Sequence, residues 1–274
     1  MKRIFYTLIA LFVTIVANAQ ITEIYEYENG KPKSEPTYVF NKKVKIVVKE
    51  EIHEYVDLGL PSGTLWATCN VGASKPEEYG DYFAWGETEP KDRQKSGYTW
   101  KDYKWMTEGQ KTEEYINKYT VEDKEHKGCW YDHGTFIGDG KLELDPEDDA
   151  ATVNWGSDWC MPTLDQIDEL CSPVNVTCEK TILNKTHGFK ITSKKNGNSI
   201  FLPCAGYYHD RSYMTDLPND PSKLGSGLYW SRSLAYGRPD IARFMYIWES
   251  GKYVEWTNEK RFYGMSVRPV RVQK

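Results

Sequence analysis

The sequence predicts an α+β domain with much irregular structure, and three observations lead there. From Tyr55 onward the chain runs as short apolar segments cut by Gly and Pro, the punctuation of brief strands and bends. Long helical periods are few. Aromatic residues make up 14% of the chain, with 20 Tyr and 10 Trp, more than a helical bundle usually carries. A chain of 274 residues is long enough for a large core, and its length fits one or two domains.

Taken in order, residues 1–19 read as a secretory signal peptide. Lys2 and Arg3 form a basic start, Ile4 to Val16 an apolar run, and Ala17-Asn18-Ala19 a small-residue cleavage site. Cleavage is expected after Ala19, and no Cys adjoins that point to carry a lipid. Residues 20–54 form a Lys- and Glu-rich lead-in, with "ENGKPKSEP" as a turn and "TYVFNKKVKIVVKEE" as a strand pair. The main domain then occupies residues 55–274. Lys91 to His126 and the acidic stretch "LELDPEDDAATVNWGSDW" are expected as loops or short helices over the core.

The clearest helix opens at "MPTLDQIDELC". Thr163 is placed as N-cap and Gln166 completes a capping box, while Leu164, Ile167, Leu170 and Cys171 recur on one stripe. "GFKITSKKNGNSIFLPCAGY" gives two strands around Asn196-Gly197, a strong hairpin signal. In "ARFMYIWESGKYVEW" the alternation sets Phe244, Tyr246 and Trp248 on one face and Arg243, Met245, Ile247 and Glu249 on the other. One face is expected in the core, and the other outward as a binding surface.

Charge and hydropathy exclude two function classes. The formal charge is −5, two units more negative without Lys2 and Arg3, which speaks against nucleic acid, whose phosphates need clustered Lys and Arg. After residue 19 no apolar run approaches the roughly 18 residues of a membrane helix. The six cysteines (Cys69, Cys129, Cys160, Cys171, Cys178 and Cys204) are compatible with disulfides after export, and spacing does not choose among pairings.

Several strings together resemble one family: "VDLGLPSGTLWATCNVGA", "EEYGDYFAWGET", "EDDAATVNWGSDWCMPT", "SKKNGNSIFLPCAGY", "GLYWSRS" and "YGMSVRPV". Their order and content resemble the Fibrobacter succinogenes major paralogous domain proteins of Bacteroidota, from about Tyr55 to Val272. The resemblance implies a C-type-lectin-like fold of the formylglycine-generating-enzyme type, with twisted antiparallel strands, one or two helices and long structured loops. It also implies export and a ligand-binding or surface role. Two positions depart from the family pattern, Cys160 before "MPT" and Cys204 after "FLP", and a disulfide between them is one expectation. The enzyme of that fold works through a late cysteine pair, whereas no Cys follows Cys204 here, so no catalytic residue is carried over.

Related proteins of this fold are targets of diversity-generating retroelements, with a variable segment between a "YWS" and a "GxSVRPV" string. The matching window here is Tyr229 to Val270. Within it Arg232, Tyr236, Arg238, Asp240, Arg243, Tyr246, Tyr253, Trp256, Phe262 and Tyr263 are the candidate ligand-binding residues. Trp248, Lys252, Glu255, Trp256, Glu259 and Lys260 do not arise from randomising the first two bases of an Asn codon, which favours a fixed family member over a diversified one.

Asp145, Glu147, Asp148 and Asp149 crowd carboxylates that would suit calcium, without the alternating spacing of an EF-hand loop; a solvated acidic turn is the other reading. The histidines His53, His126, His133, His187 and His209 are scattered and form no triad spacing. Tyr and Trp give large contact area at low entropic cost, so a glycan or a protein at the cell exterior is the expected partner. A subunit of a surface or fimbrial assembly is the alternative.

Overall fold

The computed structural model describes strands within residues 12–40, and residues 53–215, 225–247 and 254–272. Two compact units divide the chain, Met1–Ile52 and His53–Lys274. In the first, β1 (Phe12–Val16), β2 (Ala19–Ile24) and β5 (Thr37–Phe40) form an antiparallel sheet with β2 central, and β3 (Tyr27–Glu28) pairs with β4 (Lys31–Pro32). β5 covers the start of the expected strand pair, whose remainder to residue 52 lies outside the described residues.

The second unit is built from short antiparallel sheets and two α-helices. β6 (Tyr55–Asp57) and β7 (Thr64–Ala67) pair with the last strand, β18 (Val270–Val272), so both ends of the domain meet in one sheet. Between them come β8 (Tyr131–Asp132) and β9 (Thr135–Phe136), then β10 (Val176–Leu183), β11 (Thr186–Ser193) and β12 (Ser199–Pro203). The ribbon β13 (Tyr207–His209) with β14 (Ser212–Met214) follows. The largest sheet is β15 (Gly227–Ala235), β16 (Arg238–Ile247) and β17 (Val254–Lys260). Lys91 to His126 holds only single 3-10 turns at Trp100–Asp102 and Glu113–Tyr115, and the acidic stretch holds one at Pro146–Asp148 before helix α1 (Ala150–Trp155).

Helix α2 (Leu164–Cys171) forms where the capping box places it. The Thr163 hydroxyl accepts from the Gln166 amide, and the Gln166 side chain accepts from the Thr163 amide. Ile167 and Leu170 bury its apolar stripe. The expected hairpin is present as β11–β12, with Gly197 at φ +79 in the turn that Asn196-Gly197 announces. A second hairpin, β10–β11, turns on Asn184 and Lys185, both at positive φ, a conformation Asn tolerates better than Lys.

The β15–β16–β17 sheet corrects the one-face reading of the C-terminal hairpin. Phe244 and Ala242 join Trp85, Trp230 and Met265 in one buried cluster, with Tyr246 packed against it. Met245 and Ile247 join Tyr229, Ile167 and Leu170 in another. Core lies on both sides, because α2 and the β6–β7–β18 sheet cover the face that parity alone would leave to solvent. Trp248 lies outside the described residues.

Two fully buried arginines anchor the loops to this frame. Arg268 donates to the Ala67, Thr68 and Phe201 carbonyls and to the Asn70 side chain. Arg261 donates to the Lys118, Tyr119 and Pro239 carbonyls and to the Tyr103 hydroxyl, its guanidinium 4.7 Å from the Trp85 ring centre. Each cation is paired with oxygens rather than left bare, which a buried charge requires. Among the described residues the six cysteines form no disulfide with one another, so the expected Cys160–Cys204 bridge is absent. Cys160 lies near Asp149 and Arg232, whereas Cys204 lies near Tyr79, Tyr213 and Tyr229. Among the described residues no helix is long and apolar enough to cross a membrane.

Candidate functional site

The β13–β14 ribbon carries aromatic side chains on both of its faces. Tyr207 and His209 share one side by parity, and Tyr208 takes the other with its cross-strand partner Tyr213. Backbone bonds lock the ribbon in place. The Tyr208 amide donates to the Gly264 carbonyl at 2.7 Å and the Gly264 amide returns to the Tyr208 carbonyl at 2.9 Å. Tyr98 and Asp210 exchange a similar pair at 2.8 and 2.9 Å. A Cβ at Gly264 would stand 2.6 Å from the Tyr98 ring, so only glycine lets that ring lie flat on the backbone.

On the first side, Tyr263 lies 5.7 Å from Tyr207, 5.0 Å from His209 and 4.9 Å from Phe262 between ring centres. Phe262 packs edge-on against Trp100 at 4.8 Å. On the second side, Tyr208 meets Tyr82 at 4.8 Å, Tyr213 at 5.2 Å and Tyr98 at 5.8 Å. The Tyr82 and Tyr213 hydroxyls both donate to the Ala205 carbonyl, which fixes their rings. Burial raises the Tyr82, Tyr98 and Tyr213 pKa values, that of Tyr213 to about 12, so these hydroxyls stay protonated donors at neutral pH.

The ten sequence-predicted ligand residues do not form one surface. Tyr236, at the β15–β16 turn, is 85% exposed. Arg238 is exposed beside it and grips Asp240 with two bonds, Nε to Oδ1 at 2.9 Å and Nη2 to Oδ2 at 2.8 Å. Lys260 adds a third bond to Asp240 at 2.7 Å. Burial works against the Asp240 charge, but the bonds from Arg238 and Lys260 outweigh it and hold its pKa below the usual carboxylate range. Asp240 and Phe262 are buried, which corrects their placement as outward residues: one is the acceptor of an ion network and the other fills the gap beneath Trp100.

The remaining candidates spread out. Arg232 is half-buried, with Nη2 donating to the Leu144 carbonyl at 2.7 Å and Nε 3.3 Å from Glu143. Arg243 points its charge toward the α2 side, where it counters the burial that raises the Asp168 pKa. Tyr246 is half-buried against Phe244 at 6.2 Å, and Tyr263 belongs to the ribbon face. Trp256 sits in β17 with its side chain outside the described residues, as is the whole of Tyr253.

The four carboxylates of the acidic stretch do not all face one point: Asp145 and Asp148 meet at Lys118 and the Tyr119 hydroxyl, whereas Asp149 turns to the start of α1. Asp145 accepts from Lys141 and Lys118. Asp148 is buried and accepts from Lys118 at 2.6 Å, Lys104 at 3.1 Å and the Tyr119 hydroxyl at 2.6 Å. Asp149 caps α1 through the Ala151 and Thr152 amides and also takes the Met161 amide. Glu147 is exposed. Among the described residues no three His, Cys, Asp or Glu side chains gather to hold a metal.

The histidines occupy separate settings. His53 stacks on Trp155 at 3.7 Å, His126 on Tyr131 at 4.8 Å, and His209 is on the ribbon. Two clefts, of about 360 and 320 Å³, lie elsewhere, one on the β10–β11–β12 sheet beside Ile182 and Phe201, the other beside Val174 and Lys195. Sequence reasoning missed Tyr82, Tyr98, Arg93 and Tyr213. These rings lie far apart in sequence, and only the bridges at Tyr98–Asp210 and Tyr208–Gly264 bring them together. No family model, no curated protein and no solved structure matches the chain.

Proposed function

We propose that this is an exported, non-catalytic ligand-binding domain of the Fibrobacter succinogenes major paralogous domain type, with a C-type-lectin-like fold and an aromatic face turned to a glycan or protein. The observation that carries the reading is the β13–β14 ribbon, whose rings reach the surface while its backbone is pinned on both sides. Tyrosines fixed by their hydroxyls lose little entropy on binding, the property recognition surfaces select. Antiparallel sheets, two helices and long ordered loops are compatible with the fold that the six sequence strings imply.

A glycan array with the mature chain tests it. Binding that falls on Tyr208→Ala or Tyr263→Ala, with the melting temperature kept, supports the reading. An array without response, together with concentration-dependent self-association in size-exclusion chromatography, would replace it by the assembly subunit. That alternative draws on exposed aliphatics away from the ribbon, Ile182 and Val174, each beside a cleft. Export is tested by the N-terminal mass of the secreted chain, expected to begin at Gln20. Deep sequencing of the codons for Tyr229 to Val270 in a growing population tests diversification, where uniform codons mark a fixed domain.

A further inference from the structure

We infer that Arg93 is a carboxylate clamp and that the ligand of the ribbon is an acidic saccharide, a sugar ring bearing a carboxylate; this rests on the ligand-binding reading above. Arg93 is exposed, and its guanidinium carbon lies 4.5 Å from the centre of the Tyr208 ring, with Nη1 donating to the Tyr208 hydroxyl. The stack restrains a side chain that would otherwise sample many rotamers, and it leaves the other N–H donors of a planar fork unused.

Arg93 combines this stacked pose with the lack of a carboxylate partner among the described residues. Several cations of the surrounding loops do have one: Lys91 with Glu87, Lys95 with Asp92, Lys260 with Asp240 and Glu113, Arg238 with Asp240. In a chain of formal charge −5, a pre-oriented cation without a counter-charge is an acceptor site for one from outside. Beside it lies the Tyr213 ring, tilted 48° to Tyr208 and 38% exposed, which offers an apolar face next to the guanidinium. A uronate matches both parts. Its C–H face covers a ring while its carboxylate meets the guanidinium. An acidic peptide would supply the carboxylate without the flat apolar face.

The test uses the full mature chain and trimers of galacturonate, glucuronate and mannuronate, each beside its carboxyl-reduced counterpart, in calorimetry at low salt. At least one uronate trimer is expected to bind about tenfold more tightly than its reduced form, the worth of one charge-assisted bond. Arg93→Gln and Arg93→Lys should both bring that ratio toward one while neutral-trimer affinity stays, because Lys keeps charge but loses the fork. Equal binding of acid and reduced forms, or an unchanged ratio in Arg93→Gln, overturns the clamp and leaves the ribbon standing as a binding face. Binding of poly-glutamate with no saccharide response overturns the saccharide. Binding of no probe overturns the acidic ligand, and the Tyr208→Ala array result then decides the wider reading separately.

Discussion

The β15–β16–β17 sheet and the β13–β14 ribbon are both rich in rings, yet they use them in opposite ways. In the sheet, alternate residues enter two different cores, so each of Trp230, Phe244 and Met245 is buried whichever way it points. In the ribbon, alternation also gives two faces, but each packs on only one further row of aromatic side chains, and the ribbon reaches solvent at Tyr213 and His209. Alternation therefore reports that a strand has two environments. It does not report that one of them is water.

The contrast is broken most sharply by cutting into the sheet. Trp230 is fully buried and its indole donates to the Phe83 carbonyl, so Trp230→Ala is expected to cost about 3–5 kcal/mol in urea unfolding. Gly264→Ala attacks the seam beneath the ribbon. Its Cβ would press the Tyr98 ring at 2.6 Å, for a loss of roughly 1–3 kcal/mol, with ligand affinity falling as the ribbon shifts.

A pH series sharpens the comparison by probing a third ring stack. Burial against Trp155 lowers the His53 pKa from 6.5 to about 4. The unfolded chain therefore takes this proton at a higher pH than the folded one does. The His53 contribution is complete above pH 6.5 and is lost as the pH falls from there toward 4. The melting temperature should drop across that window, less steeply in His53→Gln. The smallest effect on stability belongs to the ribbon itself, where Tyr208→Ala should cost less than about 1 kcal/mol while removing most of the binding. A large destabilisation there would make the ribbon a piece of core like the sheet.

Much of the local fold was legible in the sequence because the signals were local. Thr163 and Gln166 announce α2 through bonds that close within one helical turn, and Asn196-Gly197 announces a hairpin through backbone conformation alone. The candidate site was less legible. Tyr82, Tyr98 and Arg93 meet Tyr207, Tyr208 and His209 only across more than a hundred residues of chain, through contacts such as the Tyr98–Asp210 bridge and the Arg93–Tyr208 bond. The acidic stretch misled for a related reason. Its carboxylates are adjacent in sequence, and the lysines that claim Asp148, Lys104 and Lys118, come from another loop.

Arg261 has a consequence for how the surface can change. It holds the loops at Lys118, Tyr119 and Pro239 through their carbonyl oxygens, and every amino acid supplies that atom. Those three bonds read backbone and not side chain, while the Tyr119 ring packs 5.8 Å from the guanidinium and Tyr119 and Lys118 hold Asp148 through their side chains. Substitutions at the solvent-facing positions of these loops leave the backbone bonds to Arg261 intact, so those positions are free to vary in sequence over a fixed path.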